Sequence, residues 1–351
     1  MPLPSGIEQQ IRRAVRGALG AEVEALEPIA GSLGLRRFAR ARLSGPGAAT
    51  LIARVEAPED PAGRPAGAAP EPPLEPVRAL FAAAGLPVPR RLGADEAHGV
   101  ELLEDLGDLS LAEAARGASP AERDALYAEA CGLVPRIQRL RDPGGLPAFA
   151  RRLDAELFRY KAGLFAEWSL ACRGRAASPA ERRLVEETFA LAARAAAAAP
   201  ARLAHRDLQG SNLLVRPGRP PGERLAMIDL QGALLAPPEY DLVCLLRDSY
   251  LELSEAELDA QIERVRPRLP DPPDPETFAA RFDLLTLTRK GKDHARFLYA
   301  ASTRGRRDAL AHLPASVRYL RRAAARAAAR DPGLRAFAEL VHELPERPCA
   351  A

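Results

Sequence analysis

Strand-like runs in this 351-residue chain are confined to the stretch before residue 104 and to one polar segment near residue 210; almost everything after Leu109 reads as helix. Ile7, Ile11, Val15 and Leu19 recur every four residues and stop at Gly20, the pattern of a short amphipathic helix. Strands are expected at Val23–Ile29, 35–43 and Thr50–Val55, separated by Gly31-Ser-Leu-Gly34 and Ser44-Gly-Pro-Gly47, both good turn chemistry. An irregular Pro/Gly/Ala loop over 57–73, a helix over 75–84 and strands over 91–93 and 99–103 complete this part. Helices are then expected over 120–140, 146–171, 179–199, 240–251, 254–269, 275–301 and 313–329, interrupted by short strands at 212–215 and 224–229. Strands first and helices later predict an α+β fold of two unequal parts, residues 1–104 and 105–351, with a ligand cleft between them.

Composition narrows the function classes. Hydrophobic and charged contents of 47% and 28% are those of an ordinary globular protein, and a net charge of +3 demands neither nucleic acid nor membrane as partner. Cys131, Cys172, Cys244 and Cys349 form no C-x-x-C pair, so a reducing compartment is expected. Residues 1–13 hold Glu8, Arg12 and Arg13 without an apolar core, and no apolar run approaches the ~18 residues of a membrane span. These signs together predict a cytoplasmic protein. P-loop and dinucleotide-binding glycine patterns are absent, and His98, His205, His294, His312 and His342 are too dispersed for a zinc site. Arg318, Arg322, Arg326 and Arg330 make a basic stripe at helical spacing, read as a solvated face or else a surface for an acidic partner or nucleic acid.

The two short strands flank the polar segment, His205-Arg-Asp-Leu-Gln-Gly-Ser-Asn-Leu-Leu-Val215 and Ile228-Asp-Leu-Gln-Gly232. Asp207, Asn212 and Asp229 are the types that phosphoryl transfer from ATP requires. One carboxylate is needed near the acceptor hydroxyl, and an amide and a second carboxylate for Mg2+, which takes few protein oxygens. The alternative is a surface loop followed by an N-capping Asp.

These segments, with Glu239-Tyr-Asp-Leu-Val243, resemble the aminoglycoside phosphotransferase and choline kinase superfamily, relatives of protein kinases. Gln231, the run Tyr240-Asp-Leu-Val-Cys-Leu-Leu-Arg-Asp-Ser-Tyr250 and Leu285-Thr-Leu-Thr-Arg-Lys-Gly-Lys292 are similar to the bacterial anomeric kinases of N-acetylmuramate and N-acetylglucosamine, enzymes of cell-wall recycling. Gly31-Ser-Leu-Gly-Leu-Arg-Arg-Phe38 resembles the family's nucleotide loop, Glu56-Ala-Pro58 its Asp-Ala-Pro and Leu102-Leu-Glu-Asp-Leu-Gly-Asp108 its hinge.

The resemblance implies a bilobal kinase-like fold, with a small antiparallel β-sheet lobe and a large helical one. Asp207 would be the catalytic base, and Asn212 and Asp229 would hold magnesium. Ser32, Arg36, Arg37, Arg54 and Glu104 would contact the nucleotide. Gln209, Gln231, Arg247, Arg289 and Lys292 are candidate contacts to the sugar; each has a structural alternative, an ion pair for Arg247 and a solvated basic face for Arg289 and Lys292. His205 and Asp241 are read as structural. The family's lysine on the third strand is missing, since the first lysine is Lys161; Leu51-Ile-Ala-Arg-Val-Glu-Ala57 puts Arg54 or Val55 in its place. Thr288 and Lys290 stand where the anomeric kinases carry Gln and His. Other acceptors remain open: choline, homoserine or another small alcohol, or an aminoglycoside, for which Glu252, Glu255, Glu257 and Asp259 offer acidic groups. So does a nucleotide-binding regulatory module. A sugar 1-phosphate product would in turn call for a downstream nucleotidyltransferase.

Overall fold

The computed structural model describes residues 3–29, 36–45, 49–56, 72–216 and 218–347. Ser32 and most of the loop over 57–73 lie outside them. The chain divides into two compact units, residues 1–71 with 87–108, and residues 72–86 with 109–351.

In the first unit, helix α1 (Ser5–Leu19) ends on the left-handed Gly20 (φ 62°), as its sequence pattern requires. The strands are β1 (Val23–Ile29), β2 (Arg37–Leu43), β3 (Thr50–Val55), β4 (Arg91–Asp95) and β5 (Val100–Glu104). They form one antiparallel sheet in the order β1-β2-β3-β5-β4. Alternate residues Ala39, Ala41, Leu51, Ala53, Val55, Val100 and Leu102 turn to one face and bury against Ile11, Ala14 and Val15 of α1. Gly93 permits the close approach of helix to sheet: a Cβ there would lie 2.6 Å from the Ala18 Cβ.

The second unit is helical with two small hairpin-like sheets, giving the α+β organisation expected. Its helices are α2 (Leu74–Ala83), α3 (Leu111–Gly117), α4 (Pro120–Gln138), α5 (Pro147–Ala150), α6 (Ala155–Leu164), α7 (Pro179–Ala197), α8 (Tyr240–Leu246), α9 (Glu255–Val265), α10 (Pro275–Arg304), α11 (Leu313–Arg330) and α12 (Arg335–His342). Strand β6 (Arg202–Ala204) pairs with β9 (Leu234–Ala236), and β7 (Leu213–Val215) with β8 (Leu225–Met227).

Several elements depart from the sequence pattern. The helix expected over 146–171 breaks in the middle because Leu153 N–H donates to Leu235 O (2.8 Å) and Asp154 then caps a new helix through Leu157 N–H (2.9 Å). The helix over 240–251 stops at Leu246, where Arg247 turns to pair with Glu255. Helix α3 was not foreseen, although Ser110 and Glu113 form its capping box. Strands β6 and β9 are three residues long, too short to carry a period.

Helix α10 is the centre of this unit. Phe165, Phe189 and Phe337 cluster with centroids 5.9–6.5 Å apart. Gly291 of α10 lets them close in, since a Cβ there would lie 3.0 Å from Phe165 Cδ2. A π-helical turn at Phe165–Ser169 brings Ser169 Oγ to 2.9 Å from His294 Nδ1. The arginine stripe of α11 meets carboxylates: Arg318 and Arg322 pair with Glu252, Arg322 and Arg326 with Glu255, and Arg330 with Asp283. No helix among the described residues is long and apolar enough to cross a membrane.

Burial pulls the His294 imidazole down from 6.5 to about 4. Between those values the unfolded chain binds a proton that the folded chain refuses, so stability is full above pH 6.5 and falls as pH drops toward 4. The loss attributable to this residue is on the order of 3 kcal/mol. Urea unfolding of the wild type against His294→Gln checks it: the stability difference between pH 7 and pH 4.5 should shrink by that order in the variant.

Candidate active site

All of the geometry around the polar segment lies within the second unit. Strands β7 and β8 register Leu213 against Met227, and Ile228 N–H donates to Asn212 O (3.0 Å), which sets Asn212 beside Ile228 and Asp229. Asn212 Nδ2 donates to the Asp207 carbonyl (2.9 Å), which commits the amide nitrogen, so that Oδ1 is the atom that could meet a cation. Asp229 is exposed and takes the left-handed backbone (φ 65°), uncommon for a residue with a Cβ. Its Oδ1 accepts from the buried Gln231 Nε2 (2.5 Å). Beyond it Gly232 lies against the other loop: a Cβ there would sit 3.4 Å from Arg206 Cδ and 3.9 Å from Asp207 Oδ2. An amide oxygen and a carboxylate on adjoining backbone suit a hard cation that completes its shell from phosphate and water.

The loop from His205 to Asn212 is held from three sides. Asp241, at the start of α8, accepts from His205 N–H (2.7 Å) and Arg206 N–H (3.0 Å). Burial pushes its carboxyl upward, and the two N–H bonds resist that shift. His205 is fully buried and its Nε2 pairs with Ile228 O (2.9 Å), joining the loop to the Asp229 segment. Asp248, also buried, accepts from Gly210 N–H (2.6 Å) and Tyr250 N–H (3.0 Å). A Cβ on Gly210 would lie 3.0 Å from both Asp248 Oδ2 and Ala112 Cβ, a contact tight enough to favour glycine there. Arg206 has φ 79°.

The third anchor is Arg289 of α10, 2% exposed. It donates to Asp207 Oδ1 (2.6 Å), Arg206 O (3.1 Å), Gln209 Oε1 (3.1 Å) and Asp293 Oδ2 (3.1 Å). Asp293 also holds Lys290 (2.8 Å) and Lys292 (3.0 Å). Burial alone would raise the Asp207 carboxyl, but the charges of Arg289, Lys292 and Arg206 outweigh it and hold it far below the usual carboxylate range. Burial and the neighbouring Arg289 bring Lys292 down to about 8. Lys161, buried between the Phe158 and Tyr240 rings (5.2 and 5.1 Å), is pushed well down by burial and by Lys292 and Arg289.

The remaining candidate residues are placed as follows. Arg247 is fully buried, paired with Glu255 and stacked over the Phe282 and Tyr319 rings, so the ion pair is its observed environment. In the first unit, Arg54 is 3% exposed and lies beside its cross-strand neighbour Glu101 (2.5 Å), with Glu56 on its other side (2.5 Å). Its charge is already balanced. Arg36 meets Glu56 (3.3 Å), Arg37 is exposed, and Glu104 accepts from Arg90 N–H (3.1 Å). Asp248 reads from the sequence as an ion-pair member beside Arg247 or a contact to the sugar, and the structure shows it accepting backbone N–H bonds instead; the anchor Asp293 has a local cue only in its i,i+4 spacing from Arg289.

A family model described as "Phosphotransferase enzyme family" matches residues 26–278. An N-acetylmuramate/N-acetylglucosamine kinase of Pseudomonas aeruginosa is 30% identical over 286 residues, 78% of each chain. One from Neisseria meningitidis is 31% identical over 261 residues, covering 72% of this chain and 75% of that protein. Among solved structures, the choline kinase LicA of Streptococcus pneumoniae superposes with a TM-score of 0.60 at 16% identity, covering 95% of this chain and 100% of its own.

The Asp241 anchor is directly testable. Asp241→Asn offers one oxygen where two accepted, leaving a buried N–H of His205 or Arg206 unpaired. The expected cost is about 1–3 kcal/mol in urea unfolding; an unchanged midpoint would remove Asp241 from this role.

Proposed function

The chain belongs to the phosphotransferase enzyme family and is a small-molecule kinase, and we propose that it moves the γ-phosphoryl group of ATP to the anomeric C1 hydroxyl of N-acetylmuramate or N-acetylglucosamine. The observation that carries this reading is the pair of arginines at Asp207, Arg289 (2.6 Å) and Arg206 (3.9 Å), with Lys292 adding to the positive field from its pairing with Asp293. A site so charged suits a neutral or acidic acceptor and repels a polycation. Three of the four acidic residues offered to an aminoglycoside are engaged elsewhere, Glu252 and Glu255 with arginines of α11 and Glu257 with Arg123 (2.6 Å), and the fourth, Asp259, is exposed. The two relatives at about 30% identity bear the names of amino-sugar kinases, which supports the same acceptor class.

The chemistry follows from the residues. Asp207, kept ionised by its neighbours, accepts the hydrogen bond of the C1 hydroxyl and points its oxygen at phosphorus. The new O–P bond forms as the bond to the β-phosphate oxygen breaks, ADP departs, and the hydroxyl proton passes to Asp207 and then to water. A carboxylate this acidic is a weak base, adequate for a transition state in which the proton moves late. Asn212 Oδ1 and Asp229 would hold Mg2+, which neutralises the triphosphate when bound. Gln231 orients the Asp229 carboxylate for that task.

The test is turnover on an acceptor panel with phosphorus NMR of the product. An N-acetyl sugar should yield a 1-phosphate, and Asp207→Asn should lower kcat by about 10²–10⁴-fold while calorimetry still detects ATP binding. Phosphate on another hydroxyl, or on an aminoglycoside, would overturn the acceptor. Absence of acceptor-stimulated ADP with every compound would favour a nucleotide-binding module without catalysis.

A further inference from the structure

We propose that Arg289 is the positioning residue of the transfer step: its guanidinium decides which oxygen of Asp207 meets the acceptor. The inference rests on the phosphotransferase reading above and adds a residue that approaches the loop from 82 positions away in sequence. Arginine presents five N–H groups in a rigid planar fork. Here that fork meets four acceptors at once. Nε is backed by Asp293, Nη1 bridges Arg206 O and Asp207 Oδ1, and Nη2 takes Gln209 Oε1. Asp293 is itself gripped by Lys290 and Lys292, so the fork has no room to turn.

Three consequences follow for the reacting atoms. With Oδ1 committed to Arg289, Oδ2 is the oxygen that receives the acceptor hydroxyl, and it is the one that faces Gly232. With its oxygen committed, Gln209 offers only its amide nitrogen, which donates to Ser211 Oγ (3.2 Å) and is placed to donate to an acceptor oxygen. The left-handed peptide at Arg206 is pinned at both ends, its N–H by Asp241 and its carbonyl by Arg289. Removing the fork releases the strained peptide and swings the Asp207 carboxylate with it. A displacement of about 1 Å at a reacting group costs on the order of 10²-fold in rate.

The experiment compares Arg289→Lys, Arg289→Ala and Asp293→Asn in the full chain, on whichever acceptor the wild type turns over. Arg289→Lys keeps the charge and loses the fork; kcat should fall about 10²-fold with the KM for ATP unchanged. Arg289→Ala should fall further and recover at least about 10-fold on adding millimolar guanidinium, which reoccupies the fork, but not on adding equal sodium chloride. Asp293→Asn, which leaves Arg289 in place without its backing carboxylate, should give a smaller kcat loss and covers the case in which Arg289→Ala does not fold. A wild-type kcat in Arg289→Lys overturns the proposal. So does a raised acceptor KM with unchanged kcat, which would make Arg289 a direct acceptor contact, and so does rescue by sodium chloride. A wild type that turns over no acceptor sinks the phosphotransferase reading instead, so the two failures are told apart.

Discussion

Two consecutive residues, the dipeptide His205-Arg206, carry the architecture of the site. Their N–H groups point to a buried carboxylate on α8 and the Arg206 carbonyl to a buried guanidinium on α10, while the Arg206 backbone holds φ 79°. A residue with a Cβ does not rest there without compensation; the left-handed region costs on the order of 1–2 kcal/mol. Asp241 and Arg289 supply that compensation with charge-assisted hydrogen bonds, which are about twice as strong as neutral ones. The loop geometry is therefore a property of two distant helices more than of the loop itself. Asp248 applies the same device at Gly210, so each turn of the loop answers to a charged group in the core.

Burying this much charge works only because the signs interlock. Asp293 balances Arg289, Lys290 and Lys292, and Asp207 completes the set. A buried pair of this kind is weak evidence for stability, since desolvation offsets much of the attraction, but removing one member leaves an uncompensated charge at large cost. The excess is cationic. Burial, with neighbouring cations adding to it, lowers the proton affinity of two amines: Lys292 comes down to about 8, and Lys161, beside two aromatic rings and the Tyr240 hydroxyl (3.3 Å), is also pushed well down. The surplus positive charge thus resides in groups that cannot easily shed it, the arginines that face Asp207.

Sequence showed what is local. Val23–Ile29 and Thr50–Val55 are strands with the ends expected, because alternation and turn residues act within a few positions. The adjacency of Asn212 and Asp229 was legible through the two short apolar strands that carry them, now seen paired. What stayed hidden acts across long separations. Read along α10 alone, Arg289 and Lys292 form an i,i+3 basic face, and nothing in that helix announces a loop 82 residues earlier. Helix 146–171 failed for a related reason: its break is set by a hydrogen bond from Leu153 to Leu235, a strand too short to notice. The resemblance put Arg54 in place of the family's lysine, but its balance by Glu101 and Glu56 depends on sheet register, which the sequence does not show.

The arginine stripe of α11 and the acidic run near α9 had been separate surface features, one inviting an acidic partner and the other a polycationic acceptor. In the fold they meet in one ion-pair network at Glu252 and Glu255, each shared between arginines, while Glu257 pairs with Arg123 and Arg330 with Asp283. Half-exposed pairs of this sort contribute little to stability individually. Their effect here is to cancel. A surface whose opposite charges already satisfy each other offers little long-range field to steer a charged molecule, so under the function proposed above discrimination among acceptors would fall to the arginines at Asp207. Arg289 is fixed in place by the same bonds that shape the loop, which on that proposal ties the choice of acceptor to the backbone strain at Arg206.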